Sequence, residues 1–390
     1  MSTGKHRDLL AGTALLAGTV VLLRWPQESI SAVREGISVC GNILIPSLFP
    51  FLVLSNLIIS LELSHYLGAC LEPLMRPLFR IGGNCSCALV LGLIGGYPIG
   101  ARTAVSLYQS GQCSKTECER LLSFCNNSGP AFIFGVVGAG IFRSGTISLL
   151  LYLIHITASL LVGLLFRFYG HESPSFPMIH HSVQRQRIPF SAAFTRSITD
   201  SLTSVLNICS FVLFFTVFLR GLFLSGFLPA LSGLMAGLCA STGVTKSWFQ
   251  QLLTGFVELS SGVLSIPETG SLSGRASMAA FMLGWAGLSV HCQVLSFLGE
   301  CNLSARTYLT GKLLHGVFSA LLTNLAIHCF SIELTVSHFF GQPSEAISSF
   351  GFIHSLSLSI LCAVGCWILF FLTIVLIQKK RGGKTGRCAL

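Results

Sequence analysis

Residues 87–142 read CALVLGLIGGYPIGARTAVSLYQSGQCSKTECERLLSFCNNSGPAFIFGVVGAGIF. The stretch holds two apolar segments, and each is interrupted near its middle by residues that do not continue a helix. The first segment, Cys87–Tyr108, is interrupted at Gly95–Pro98, where proline lacks a backbone donor and glycine loosens the chain. The second is interrupted at Asn126–Pro130 and then resumes as an apolar run. The pattern predicts two broken helices.

A length argument relates the two interruptions. The arm from Pro98 to Tyr108 and the arm from Ser114 to Cys125 are each roughly 16 Å long at about 1.5 Å per residue. Ser114 and Glu117 form a predicted capping box at the start of the second arm. Since roughly 16 Å is about half of a hydrocarbon core of roughly 30 Å, antiparallel arms place both interruptions near the membrane middle. Non-helical backbone at that depth is typical of the substrate sites of secondary transporters.

Composition defines the class of protein. The chain has 390 residues, of which 52% are hydrophobic and 10% are charged. Its repeated apolar runs predict an all-α, polytopic membrane protein with about 9–11 membrane segments, broken helices included. The net charge of +10 is concentrated in short basic stretches, so the linker Gly170–Phe194 and the C-terminal tail are expected on the cytoplasmic side, and no nucleic acid partner is expected.

Several chemical functions are disfavoured by the absence of their motifs. The fifteen cysteines include no CxxC pair and no Cys/His ligand spacing, so no metal site and no cofactor are expected. No nucleophile elbow, HExxH motif or Walker loop occurs in the sequence, which predicts that the protein is not an enzyme and does not use ATP. Transport would then be driven by an ion gradient or run as facilitated diffusion.

Weak internal similarity predicts two related halves. A shift of 190 residues places GGYPIGARTAVSLYQSGQCS (95–114) opposite WAGLSVHCQVLSFLGECNLS (285–304). Whether the repeats are parallel or inverted depends on whether Phe227–Ala240 crosses the membrane. Gln251–Ile266 is predicted as one further span. The predicted parts are an N-terminal helix and interfacial segment (1–38), a first repeat (39–169), a cytoplasmic linker (170–195), a second repeat (196–332), and a C-terminal helix with a basic tail (333–390).

Polar side chains inside apolar segments are the candidates for a binding site, because each costs free energy in hydrocarbon. Glu258 either marks an ion or substrate path or is paired with a helix end or with a lysine at the interface. Arg102 either binds an anionic substrate or reaches back to the interface. His291 either touches substrate or packs through a hydrogen bond. The predicted substrate-binding residues are Gly96, Tyr97, Pro98, Gly100, Arg102, Asn126, Asn127, Ser128, Glu258, Ser260, Ser261, Ser289, His291 and Gln293.

Several strings carry a resemblance to a known family. They are IPSLFPFLVLSNLI (45–58), LEPLMRPLF (71–79), GGYPIGARTAVSLYQSGQCSKTECERLLSFCNNSGPAFIFG (95–135) and GWAGLSVHCQVLSFLGE (284–300). With these strings the chain resembles the sporulation integral membrane proteins of the YlbJ family, also called SpoVV. That family lies within the wider group that carries the nucleoside-recognition Gate domain.

The resemblance implies a plan similar to that of concentrative nucleoside transporters and of the Gate domains of iron permeases. It also implies movement of dipicolinic acid during spore formation, in the mother-cell-derived outer forespore membrane. Dipicolinate is a planar dianion, which suits Arg102, exposed helix N-termini and the amides of Asn126 and Asn127. The alternatives are a nucleoside or metal-ion permease and a non-transporting assembly protein of the spore envelope. Membrane lipids, a coupling ion and a second copy of the chain are the other expected partners.

Overall fold

The computed structural model describes residues 2–61, 64–170, 189–299 and 301–329, and all regular structure in these ranges is helical. The predicted C-terminal helix and tail, and most of the linker, lie outside the described residues. Two π-helical stretches, Cys40–Leu44 and Ala131–Phe142, interrupt the α-helical order. The α-helices are α1 Ser2–Arg24, α2 Pro26–Val39, α3 Ile45–Ser60, α4 Ser64–Phe79, α5 Ser86–Gly95, α6 Ile99–Gln109, α7 Lys115–Leu122, α8 Gly145–Phe166, α9 Phe190–Leu224, α10 Phe227–Leu238, α11 Lys246–Val257, α12 Leu259–Leu264, α13 Leu272–Trp285, α14 Gly287–Gly299 and α15 Ala305–Cys329.

Three helices of the described part are long and apolar enough to cross a membrane: Gly145–Phe166, Phe190–Leu224 and Leu272–Gly299. Two bent pairs raise this number to five if each pair is one span. The first pair joins Pro26–Leu44 to Leu48–Leu54, and the second joins Leu71–Phe79 to Gly83–Gly95. The helical content and the bent spans agree with the predicted all-α, polytopic class.

Helices α5 and α6 form a hairpin and not one interrupted span. A Cβ atom on Gly92 would lie 3.0 Å from the Cα of Gly100, so the two helices run back along each other. The turn lies at Gly96, whose φ of +79° favours glycine. The prediction that Cys87–Tyr108 is a single span is therefore wrong. Glycines on both sides of the turn let the two backbones touch. A reversal of this kind cannot be recognised from an apolar run in the sequence.

A second hairpin joins α11 and α12. A Cβ atom on Gly262 would overlap the backbone of Gly255, so these helices also pack back to back. The chain reverses at Glu258, which has φ −139° and ψ 120° and separates the two helices. The prediction of one span over Gln251–Ile266 is wrong for the same physical reason as in the first hairpin.

Each hairpin is followed by an interrupted helix and then by a long helix. In the first half, α7 and the π-helix Ala131–Phe142 flank the interruption, and α8 follows. In the second half, α13 and α14 flank an interruption at Ala286, and α15 follows. This order corrects the alignment with a shift of 190, which set the first hairpin against the second interrupted helix. The boundaries of the five predicted parts stay predictions.

Helix α15 is central to the packing of the site. It lies against α13 and α8, and a Cβ atom on Gly284 of α13 would lie 2.6 Å from the Cα of Gly316. A Cβ atom on Gly311 would collide with the backbone of Ser123, at the interruption in the first half. These close approaches carry polar side chains of α15 into the interior of the first half.

Candidate functional site

The turns of both hairpins, the first-half interruption and the start of α14 line one cavity. Its volume is about 50 Å³. One water molecule needs at least roughly 10–15 Å³ of cavity space, so the cavity has room for a few waters in this conformation. The residues that line it are Leu44, Leu48, Gly96, Tyr97, Ser128, Gly129, Phe132, Ile208, Val212, Glu258, Leu259, Ser260, Ser289, Val290 and Gln293.

The two interruptions of the first half touch each other. A Cβ atom on Gly96 would lie 2.8 Å from the backbone nitrogen of Gly129. The capping box that sets the start of α7 is present, with the side chain of Ser114 accepting from the Glu117 amide and that of Glu117 accepting from the Ser114 amide. The sequence prediction that these two interruptions lie side by side is confirmed.

The two interruptions of the second half touch in the same way. A Cβ atom on Gly287 would lie 3.0 Å from the backbone nitrogen of Leu259. Beside this contact the Glu258 carboxylate accepts hydrogen bonds from the amides of Ser260 at 3.0 Å and Ser261 at 2.6 Å. A carboxylate is stabilised at a helix N-terminus by these N–H groups and by the helix dipole. Glu258 therefore caps α12 and also lines the cavity.

Two polar atoms at the first-half interruption have no protein partner in the described structure. They are Oδ1 of Asn127 and Oγ of Ser128, and both are buried. The Nδ2 group of Asn127 donates to the Phe124 carbonyl at 2.9 Å, which holds the side chain in place. Because a buried polar atom without a partner costs about 1–3 kcal/mol, these atoms are available to bind water or solute.

A buried lysine joins the two halves behind the cavity wall. Lys312 of α15 is 0% exposed, and its Nζ donates to the Asn126 carbonyl at 2.9 Å. The same Nζ lies 3.4 Å from the hydroxyl of Tyr97 and 5.0 Å from the centre of its ring. The amine of Lys312 is thus held one side chain away from the cavity.

Comparisons with known proteins identify the family. Residues 43–172 match the Gate family model, described as nucleoside recognition. The sporulation integral membrane protein YlbJ of Bacillus subtilis (strain 168) is 32% identical over 342 residues, which cover 83% of this chain and 84% of that protein. The chain belongs to the YlbJ family of sporulation integral membrane proteins.

Solved structures show which fold this YlbJ-family chain has. Two variants of CNTnw, both in an outward-facing state, superpose with TM-scores of 0.54 and 0.55 at 12% sequence identity. The match covers 84% and 85% of this chain, and 86% of each CNTnw chain. The likeness shows that the YlbJ-family chain has the fold of a CNT membrane transporter. The predicted class of an all-α, polytopic membrane protein is confirmed.

Half of the predicted residues lie in the cavity wall of the YlbJ-family chain. They are Gly96, Tyr97, Ser128, Glu258, Ser260, Ser289 and Gln293. Others support that wall from behind: Asn126 accepts from the Ala101 amide through Oδ1, and His291 lies 3.0 Å from the Tyr308 hydroxyl. The other predicted residues outside the lining, Arg102 apart, are Pro98, Gly100, Asn126, Asn127, Ser261 and His291. Their part in substrate binding stays a prediction.

Arg102 is the exception, because the structure does not bring it to the cavity. Its side chain is exposed on α6, and its guanidinium donates to Oγ of Ser204 on α9 at 3.3 Å. Arg102 is one helical turn beyond the hairpin turn, and this position faces α9 and not the cavity. Arg102 is therefore outside the cavity wall in this conformation, and its part in substrate binding stays a prediction.

Three functional candidates escaped the sequence reasoning: Lys312, His315 and His155. All three are buried polar residues in apolar helices. A signal was present, because an isolated lysine within YLTGKLLHGVFSALL (308–322) is as unusual in a membrane segment as Glu258. That Lys312 faces the first half depends on the packing of α15, which the sequence pattern does not give.

Proposed function

We propose that this YlbJ-family chain is a secondary transporter that moves a small polar solute through the cavity between its two halves. The observation that carries the proposal is one cavity lined by the turns of both hairpins, the first-half interruption and the start of α14. The unpartnered hydroxyl of Ser128 lies in its wall, and the unpartnered Oδ1 of Asn127 belongs to the adjacent residue. Non-helical backbone is tolerated inside a membrane protein where it lines such a cavity. Transport of this kind needs no chemical step, so no enzymatic activity is proposed.

The proposed solute is dipicolinate, and the proposed location is the outer forespore membrane. Support comes from the family, whose Bacillus subtilis relative is named a sporulation protein. Support also comes from charge, because Lys312, when protonated, places an ammonium directly behind Tyr97 in the cavity wall. The side chains of Ser289 and Gln293 add hydrogen-bonding groups that suit carboxylate oxygens.

The cavity must widen to admit an aromatic dicarboxylate. A volume of about 50 Å³ holds waters and not a six-membered ring with two carboxylates. Both hairpins contribute their turns to the cavity wall, through Gly96 and Glu258. We infer that a relative movement of hairpins and interrupted helices opens the cavity to one side of the membrane at a time, as in other repeat-built transporters.

A nucleoside is the second candidate solute, and Glu258 is the observation that favours it. A carboxylate in the cavity wall accepts hydrogen bonds from ribose hydroxyls, whereas it repels a dianion. The match of residues 43–172 to a family described as nucleoside recognition points in the same direction. The two candidates differ in charge, and therefore a competition experiment separates them.

The test is exchange of radiolabelled dipicolinate in proteoliposomes that contain the full-length protein. Labelled dipicolinate outside should exchange for unlabelled dipicolinate inside, and Gln293→Leu should raise the KM about 10-fold or more by removing a hydrogen bond to a charged group. Ser225→Ala is the matched control, since Ser225 is exposed at the end of α9. Displacement by nucleosides would favour the second candidate. Absence of exchange for every solute would overturn the transporter proposal and favour an assembly protein.

A further inference from the structure

A lysine and two histidines form a buried cluster behind the cavity wall, here called the Lys312 cluster: Lys312, His315 and His155. All three side chains are at most 1% exposed. Nζ of Lys312 lies 3.2 Å from Nδ1 of His315, and the rings of His315 and His155 are 4.3 Å apart between centres. Helices α15 and α8 supply the cluster, and it contacts the cavity wall at Tyr97 and Ser128.

The hydrogen bonds fix where the protons of the two imidazoles lie. Nε2 of His315 is 3.0 Å from the carbonyl of His155, and because a carbonyl only accepts, Nε2 carries the hydrogen. The amide of Ser128 donates to Nε2 of His155 at 2.9 Å, so that nitrogen carries none. Nδ1 of a neutral His315 then accepts from Lys312. Both imidazoles fit the neutral form, and Lys312 is the group left to hold a charge.

The surroundings of Lys312 accommodate both an ammonium and a neutral amine. An ammonium has three hydrogens, and three acceptors surround Nζ: the Asn126 carbonyl, Nδ1 of His315 and the Tyr97 hydroxyl. The Tyr97 hydroxyl donates its own hydrogen to the Leu283 carbonyl. A neutral amine keeps the first two bonds, and its lone pair accepts if the Tyr97 hydroxyl turns its hydrogen towards Nζ. Binding or loss of the proton on Lys312 therefore requires a rotation of the Tyr97 hydroxyl, which exchanges its hydrogen bond to the Leu283 carbonyl for one to Nζ.

Among the described residues no carboxylate forms an ion pair with Lys312, and Glu258, which lines the same cavity as Tyr97, accepts from the amides of Ser260 and Ser261 instead. The titratable groups near Lys312 are Tyr97 from the first hairpin, Cys125 from the first-half interruption, His155 from α8, His291 from α14 and His315 from α15 itself. Tyr308 of α15 accepts from the Asn126 side chain, whose residue also accepts from Lys312 through its carbonyl. A thiol, a phenol and an imidazole are not anionic in their ordinary forms at neutral pH, so none of these groups supplies a negative charge. A buried ammonium without a counter-ion costs several kcal/mol, whereas an anionic solute beside Tyr97 would supply one.

We propose that Lys312 is the proton-binding site of a proton–anion symporter, so that one proton crosses with each dicarboxylate. A proton from water on the entry side binds the lone pair of Nζ as the dianion enters the cavity. When the dianion leaves on the other side, the ammonium loses its counter-ion and releases the proton to the water there. One net negative charge moves per cycle. This inference rests on the proposed transport function.

The experiment uses the wild-type chain in proteoliposomes with imposed pH gradients. Each unit by which the lumen is more alkaline should raise the steady-state accumulation of dipicolinate about tenfold at zero membrane potential. A lumenal pH dye should acidify with uptake, and an inside-positive potential should accelerate uptake because the complex carries net negative charge. Replacement of external sodium by choline should leave all three readings unchanged.

Substitution separates the proton site from the rest of the carrier. Arginine stays charged in proteins, so Lys312→Arg should abolish the dependence of accumulation on the pH gradient, and Lys312→Met should do the same. Lys246→Arg is the matched control, because Lys246 is exposed at the start of α11 and should keep the tenfold response.

The outcomes distinguish the two proposals. Dipicolinate exchange in the wild type without any response to the pH gradient would overturn the proton site and leave the transport function standing. Accumulation that follows sodium would overturn it as well. A pH response that persists in Lys312→Met would assign the proton to another group. Absence of exchange would overturn the transport function itself. If both Lys312 variants fail to fold, the wild-type measurements still test whether a proton crosses with the dicarboxylate.

Discussion

Glu258 combines a structural contact with a place in the cavity wall, and substitution by glutamine tests which solute it faces. Glu258→Gln keeps one amide-accepting oxygen on α12, so a stability loss of about 1 kcal/mol is expected. If the solute is a dianion, removal of a like charge should lower the KM for dipicolinate at least about fivefold. If it is a nucleoside, loss of a charged acceptor should raise the KM for nucleoside about tenfold or more.

Glu268→Gln is the control for that change of charge. The Glu268 carboxylate pairs with Arg143 at 3.3 Å, and both side chains are largely exposed. A surface pair of this kind contributes about 0–1 kcal/mol, so uptake and stability should match those of the wild type. If Glu258→Gln has the wild-type KM for dipicolinate and also the wild-type KM for nucleoside, Glu258 does not lie in the solute path.

The charged residues show which parts of the candidate site a sequence pattern can predict and which it cannot. The intramembrane carboxylate of Glu258 could be predicted as a site candidate from its cost in hydrocarbon alone. Arg102 met the same criterion, yet it faces Ser204 and not the cavity. Lys312, which the sequence pattern does not single out, is the buried basic residue next to Tyr97. Which side of a helix faces the site depends on packing partners distant in the chain.

At the scale of elements, the close packing of the first hairpin can be tested at Gly92. A Cβ atom there would collide with the carbonyl of Cys125, which belongs to the interruption that the hairpin contacts. Gly92→Ala should therefore lower stability by about 1–3 kcal/mol, seen as a lower Tm in detergent, and should reduce uptake by displacing the turn. Gly135→Ala is the control, since nothing lies within 4 Å of its added Cβ. Equal Tm values for both variants would contradict the packing.

Elements were predicted well where a local signal exists and poorly where it does not. The capping box at Ser114 and the interruption at Asn126–Pro130 follow from local chemistry, and both are present. The reversal of α5 onto α6 follows from a contact between Gly92 and Gly100, which is a tertiary event. An apolar run of one length therefore fits either a span or a hairpin. The same ambiguity explains the mistaken pairing of the two halves.

At the scale of the whole molecule, a cavity shared by both halves predicts that one solute protects both hairpins together. Hydrogen–deuterium exchange in lipid nanodiscs should slow on addition of dipicolinate in peptides that cover 95–100 and 257–262, because solute replaces the water that reaches these turns. A peptide within α8 should not change, since α8 contributes no residue to the cavity wall. Protection confined to one hairpin would place the solute in one half, and a common cavity would then be the wrong description of the site.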